Sequence, residues 1–495
     1  MPGFTPGRRY QPPFMPFKRQ PLKKRVLAKI ELAVKGPLFG CRMCGNCLLQ
    51  ETAFICPMEC PKGLRNGPCG GSMPEKCYVD ESRPCIWYKI YERSFKLDRE
   101  ALLLEVLPPL DWEKAGTDAW SDVFVQAKKV GVKNIAAGLS SGKAGSVSKT
   151  MDSIFRPVRQ PDWWQGDSLY HAPKYFEPAS ELERRLKAGE FVVTAEVTPP
   201  SSTDTEKLRQ NIQMLKPHLA AINFTDNSSA VPRMSSWACS KIALDLGADA
   251  VMQVTGRDHT RVSLQSSVIG ASALGVRNIL CLTGDSTMLG PAPHGRMDIV
   301  DLDGIQILWI LRRMRDEGKY LDGREIKVPP QYFLGAAASP FASNMKFQAL
   351  REEKKVNAGA QFFQTNVIFD ADAIDDWLNE LAKRNVLDKV YILAGLTPLK
   401  SYKTALYMHK KIPGIHVPEK ILKRMEAARE KGGEKEEGVK ITLELIEKIK
   451  RKQVVHGLHL MAVGWEEIVP RIVRDALGFT APSMLFGNDF QTKVY

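Results

Sequence analysis

Eight of the ten cysteines in this 495-residue chain lie between Cys41 and Cys85. They are Cys41, Cys44, Cys47, Cys56, Cys60, Cys69, Cys77 and Cys85, spaced C-x2-C-x2-C-x8-C-x3-C-x8-C-x7-C-x7-C. Thiolates are soft ligands, and four of them complete the shell of an iron–sulfur cluster or of a structural zinc. Eight suit two such centres, and packing alone does not explain so dense a group. The opening Cys-x2-Cys-x2-Cys and the Cys-Pro pairs at Cys56 and Cys60 favour at least one [4Fe–4S] cluster, with zinc allowed at one site. The sequence does not divide the ligands between centres. A disulfide framework suits a short secreted chain, whereas this one has no early apolar signal segment and a large enzyme-like remainder. A reducing, cytoplasmic setting is expected. Cys239 and Cys281 stand alone and read as small core residues.

A second kind of chemistry is carried by two carboxylates. Glu196 closes the apolar run FVVTAEV and is followed closely by Pro199 and Pro200. A carboxyl partly withdrawn from water keeps its proton towards neutral pH, as a general acid must. Asp285 follows Leu-Thr-Gly; Gly284 lets a ligand approach the backbone, and the carboxylate can accept from the N–H groups of a heterocycle. Each also has a plain reading, as a hydrogen-bonded structural Glu or an N-cap Asp. Lys355, late in a helix, can reach a phosphate, though such residues are mostly surface groups; Tyr402 can stack on a flat ring or pack in a core. No P-loop, GxGxxG, HExxH or Ser-His-Asp pattern is present.

These residues need a scaffold, and the second half of the chain supplies a repeating one. Short apolar runs at 191–197, 218–224, 249–254, 277–282, 331–337, 361–365, 390–395 and 456–461 read as strands buried on both faces. Helical stretches such as 205–216, 233–246, 260–275 and 344–357 lie between them. Eight β/α units predict a (β/α)8 TIM barrel, with a doubly wound open sheet as the alternative. In a barrel the C-terminal strand ends form the active site. That places Glu196, Asn223, Gln253, Thr255, Thr283, Gly284, Asp285, Ala337, Ser339 and Asn366 on one polar rim. A capping box at Ser180 and Glu183 predicts a helix to about Lys187 that leads into the first strand. The Lys- and Glu-dense segment 424–451 reads as a solvated helix face.

Several motifs raise the specificity. TAEVTPP, INFTDN, VPRMSS, LCLTGD, KKVNAGAQFFQT and LHLMAVGWEE together resemble the methylenetetrahydrofolate reductase barrel, over about 180–480. CRMCGNC, CPMECPKGLRNGPCGG and RPCIWY resemble the cysteine-rich partner domain found with such reductases in anaerobic one-carbon metabolism. The resemblance implies reduction of 5,10-methylenetetrahydrofolate by a reduced flavin, FAD or FMN. Glu196 matches the family's general acid, Asp285 the acid that contacts the pterin, Lys355 a flavin phosphate contact, and Tyr402 an aromatic that stacks on folate. Asn223, Gln253, Thr255, Thr283, Gly284, Ala337, Ser339, Arg351 and Lys355 are the expected flavin set, with Asp285, Asn366 and Tyr402 for the folate. The chain departs from the better-known members at Asn366 (usually Gln), Ser339 (Tyr), Gln253 (His) and Asn223 (Thr), which leaves the flavin type and the hydride donor open. A flavin-free folate or corrinoid methyl-transfer component, or a folate-binding scaffold, is the alternative.

The expected organisation is a basic, flexible tail (1–35), a cysteine domain (36–110), a connecting region (111–180), the barrel (181–480) and a C-terminal tail (481–495). The formal net charge is +14, and residues 1–30 hold no acidic group. Such a tail can meet an acidic partner, but no aromatic-interleaved basic patch points to nucleic acid. No apolar run reaches the ~20 residues of a membrane span. Expected partners are the folate, an electron-donor subunit, ferredoxin or NAD(P)H, and further copies or subunits of a complex.

Overall fold

Eight short strands close into a parallel barrel in chain order: β1 (Val192–Val197), β2 (Ala221–Phe224), β3 (Ala250–Thr255), β4 (Asn278–Leu282), β5 (Phe333–Ala338), β6 (Phe362–Val367), β7 (Tyr391–Leu396) and β8 (Gly457–Leu460). The computed structural model describes residues 21–140, 144–287, 290–291, 300–341, 343–412 and 414–478. Closure is made by β8 on β1, with Val192 opposite Gly457 and Ala195 opposite Leu460. The open-sheet alternative is thereby excluded. The strands are apolar throughout because helices cover the outer face and side chains fill the inner one.

The barrel interior is layered. At the N-terminal end Val192, Val251, Leu280, Phe333, Phe362 and Leu393 pack with Leu182 and Leu186. The last two come from a short plug helix, Glu181–Lys187, whose start is the expected Ser180 cap: the Ser180 hydroxyl accepts the Glu183 N–H at 3.0 Å. Phe333 and Phe362 stack with ring centres 4.8 Å apart, next to Gly335, where a Cβ would lie 2.2 Å from the Phe362 ring. Above this layer sits a polar one. Asn223 and Gln364 exchange amide hydrogen bonds at 2.7 and 3.1 Å, Gln364 also donates to Thr194, and Thr194 pairs with His459 Nδ1 at 3.0 Å. The β6–β7 register shifts between Gln364 and Val367, a bulge that re-aims Asn366 at the mouth.

The N-terminal region differs from expectation. Residues Leu22–Phe39 are helical, so the flexible tail is contradicted for residues 22–35. The reason is a buried ion pair that composition hides. Glu31 takes the Lys35 ammonium at 2.5 Å and the N–H groups of Ala119 and Trp120, tying this helix to the region behind the cysteines. Among the described residues the connecting region holds a 3-10 turn, Trp112–Lys114, and three α-helices, Trp120–Val130, Val132–Ser140 and Ala144–Arg159. The cysteine segment itself has one 3-10 turn, Pro57–Glu59, before the helix Ile86–Lys96. That helix buries Trp87, Ile90 and Tyr91 against Phe347 and Leu350 of the barrel helix Met345–Asn357. The segment 424–451 splits into parts of two helices, Glu419–Glu430 and Glu434–Lys450; Ile441, Ile446 and Ile449 are buried, so only its outer face is solvated. Residues 1–20 and the expected C-terminal tail lie outside the described residues. Among the described residues no helix is long and apolar enough to cross a membrane.

Candidate active site

A cleft of about 320 Å³ opens at the C-terminal end of the barrel. Its walls include Gln253, Thr255, Thr283, Gly284, Asp285, Ala337, Ser339, Arg351, Lys355 and Asn366. All come from strand ends, the loops after them, or the helix Met345–Asn357. Gly284 has φ +90°, and a Cβ there would lie 2.1 Å from Thr255 Cγ2, so only glycine makes this turn. Lys355 is buried and donates to the Ala337 carbonyl. Arg351 Nε is buried without a hydrogen-bond partner among the described residues, which suits an anionic group of a bound ligand. Asn366 Nδ2 reaches Ser339 Oγ at 3.3 Å.

Glu196 is not among the residues that line this cleft but adjoins one of them, Gln253, and its side chain is 17% exposed. Its Oε2 accepts from Gln253 Nε2 at 3.2 Å and lies 4.0 Å from His459 Nε2. Burial, with a smaller push from the charge of Asp285, raises the carboxyl to about 7 against the opposing effect of the Gln253 hydrogen bond. Burial drives His459 down to about 3, so a neutral imidazole faces the carboxyl. The arrangement can hold a proton at neutral pH and release it to a ligand. The β8 histidine was not among the expected rim residues because it lies one layer below.

Two further expected residues are also absent from the lining. Asn223 is fully buried, and its carboxamide is used by Gln364, so it supports the floor of the site rather than lining the cleft. Tyr402 is not among the residues lining the cleft; it packs against the cluster of Met408, Val417 and Met425, with the Arg429 guanidinium 4.7 Å from its ring centre. Asp226, which the sequence also places at the rim after β2, lines the cleft and accepts the Thr255 N–H at 2.8 Å. Other lining residues were not expected: Arg257 donates to the Asn227 carbonyl at 2.9 Å. Lys62, Asn66, Gly67, Gly70 and Tyr78 reach the same cleft from the cysteine segment. The glycines in NGPCGG were the available signal, since they permit a close approach of backbones.

The eight clustered cysteines are free thiols that line two small cavities. Cys41, Cys44, Cys47 and Cys56 line one; Cys60, Cys69, Cys77 and Cys85 line the other. The electrostatics follow the same division. Burial raises Cys56 and Cys60 to about 12, and neighbouring thiols add to this within each set: Cys44 and Cys41 on Cys56, Cys69 and Cys85 on Cys60. Among the described residues, no three Cys, His, Asp or Glu side chains are placed closely enough to hold a metal ion as they stand. The donor chemistry and the grouping in fours fit two four-thiolate centres. The Lys35 ammonium lies 3.5 Å from Cys47 Sγ, and the buried Arg65 guanidinium donates to the Asn46 carbonyl and Met58 Sδ beside the first set.

Comparison with known proteins agrees with this architecture. The family model for methylenetetrahydrofolate reductase matches residues 181–477. A second family, described as methylene-tetrahydrofolate reductase C terminal, matches residues 21–113, which here precede the barrel. A probable methylenetetrahydrofolate reductase (NADPH) from Caenorhabditis elegans is 22% identical over 254 residues, covering 50% of this chain. The match covers 35% of that relative's length. A solved Clostridium thermocellum protein, described as binding two copies of 5-methyl-5,6,7,8-tetrahydrofolic acid, is 17% identical; the match covers 60% of this chain and 98% of that one, with a TM-score of 0.43. A riboflavin lyase solved with modified FMN and riboflavin is 10% identical, covering 59% and 93%, with a TM-score of 0.36. At these TM-scores neither likeness bears on function. The match over 181–477, more than half of the sequence, is decisive: the chain belongs to the methylenetetrahydrofolate reductase family.

Proposed function

We propose that the chain reduces 5,10-methylenetetrahydrofolate, or a close pterin relative, to the 5-methyl compound with a flavin bound in the barrel cleft. The observation that carries this reading is Glu196: a near-neutral carboxyl hydrogen-bonded to Gln253, a wall residue of the cleft that also holds Asp285, Arg351 and Lys355. When bound, a reduced flavin supplies the hydride that the methylene carbon receives. Arg351 and Lys355 are the groups suited to hold its phosphate. Asp285 accepts hydrogen bonds from the pterin's N–H groups and fixes its plane. Glu196 gives its proton to the folate nitrogen as the methylene bridge opens, and the neutral His459 behind it leaves that proton in place. The polar floor of Thr194, Asn223 and Gln364 holds the strands at the register this geometry needs.

In the same reading, the two cysteine sets hold two metal centres. An iron–sulfur cluster in either would supply one-electron exchange with an outside donor; zinc would supply a structural staple. The second set shares Cys69 and Lys62 with the wall of the barrel cleft, which supports a role next to the flavin. Anaerobic incubation of 5,10-methylenetetrahydrofolate with the flavin-loaded chain and reduced methyl viologen tests the reading. Formation of 5-methyltetrahydrofolate, followed by chromatography, is expected; no product from a flavin-loaded chain would refute it.

A further inference from the structure

Two side chains of the cysteine segment reach into the barrel mouth. Lys62 is 3% exposed, and its ammonium donates to the Gly284 carbonyl at 2.8 Å. The same ammonium lies 5.2 Å from the centre of the Tyr78 ring. The Tyr78 hydroxyl makes a long hydrogen bond of 3.5 Å to Asp285 Oδ1. The other oxygen of Asp285 takes the Ser229 N–H at 2.9 Å. Asp285 is therefore held between the loop after β2 and the cysteine segment, and the peptide before it is pinned by Lys62.

Both residues are tied to the second cysteine set. Lys62 follows Cys60 by two residues, and Tyr78 follows Cys77 directly. Residues 61–85 contain no helix or strand. A segment without its own hydrogen-bonded ladder needs cross-links to fix a buried lysine at a set place, since ordering a long side chain costs entropy. A metal held by Cys60 and Cys77 closes that loop and supplies the constraint.

We propose that Lys62 and Tyr78 are positioning residues for the folate reaction, supplied by the cysteine segment, and that filling the Cys60, Cys69, Cys77 and Cys85 set fixes them. The active site is then composite: the barrel provides Glu196 and Asp285, and the cysteine segment orients Asp285. This rests on reading the cleft as a flavin and folate site.

The test uses the full-length, flavin-loaded chain and follows flavin bleaching by 5-methyltetrahydrofolate. K62M removes a charge-assisted hydrogen bond without much loss of volume. It should raise KM about ten- to hundredfold with kcat little changed, and K62R should recover most of the loss. Y78F should raise KM a few-fold. C77S, which breaks the second set, should weaken folate binding in a spectral titration as K62M does; C41S, in the first set, should not. Folded K62M and Y78F chains with wild-type KM would overturn the proposal, as would K62R behaving no better than K62M. Equal effects of C41S and C77S on folate binding would overturn the link to the second set. A wild-type chain that binds neither flavin nor folate would instead refute the site reading itself, and this proposal with it.

Discussion

Replacing Glu196 by Gln removes the proposed proton donor and little else. The side chain keeps its length, and Gln253, 3.2 Å away, can reorient its amide to bond the new carboxamide. Arg351, Lys355 and Asp285 are untouched, so flavin binding and the flavin spectrum should be preserved. A positioned general acid contributes about 10²–10⁴ in rate, or roughly 3–5 kcal/mol at 1.36 kcal/mol per decade. Glu196→Gln should therefore lower kcat by that factor, measured by stopped-flow bleaching of the flavin with 5-methyltetrahydrofolate. The pH dependence gives the sign. The carboxyl is raised to about 7, so it carries its proton below that value and has lost it above. In the direction of folate reduction the protonated form is needed, and kcat/KM should fall as pH rises through about 7. In reverse the same group must accept the proton, so bleaching should speed up through the same range. Both limbs should vanish in the variant. A loss of less than tenfold, or a limb near 7 that survives the substitution, would refute Glu196 as the acid.

Other consequences follow from the same geometry. If an iron–sulfur centre relays electrons, Cys44→Ser should abolish turnover with a low-potential donor and spare flavin reduction by 5-methyltetrahydrofolate; equal loss of both would favour a structural metal. Metal analysis should find two centres per chain, with Cys41→Ser and Cys77→Ser each losing one. Gly335→Val would drive a side chain into the Phe362 ring, where even a Cβ lies 2.2 Å from it. It should cost about 1–3 kcal/mol, read as a lowered urea midpoint. Tyr402→Phe should leave the folate KM unchanged, because Tyr402 packs against Arg429 and does not line the cleft; a several-fold rise in KM would place it in the site after all.

The barrel was legible because its strands announce themselves. Each is a continuous apolar run between turns, and most bounds agree with the pattern to within two residues. The exception is β2, expected from 218 but beginning at Ala221, because Lys216–His218 forms a 3-10 turn. Rim positions were legible for a related reason: where a strand ends, the residues just beyond it are at the mouth. Depth was harder to read. Asn223 belongs to the floor because its amide is used by Gln364, a partner 141 residues away that no local pattern identifies. Glu31 and Lys35 look like parts of a solvated basic tail until Ala119 and Trp120 supply the buried partners. Lys62 and Tyr78 were invisible as site residues for the same cause. Their contacts with Gly284 and Asp285 span more than 200 residues and run through backbone that follows no period. The two cysteine sets follow chain order, the first four and the last four, which is one of several divisions that the spacing allows.

The proposed function requires that this cleft join a flavin to a folate. The most direct measurement is an anaerobic visible spectrum of the purified, flavin-reconstituted chain before and after excess 5-methyltetrahydrofolate. A bound flavin band that bleaches on addition, above any broad iron–sulfur absorbance, is expected. A chain that takes up no flavin, or a bound flavin left oxidised by the folate, would contradict it and move the function to a flavin-free folate carrier or methyl-transfer component.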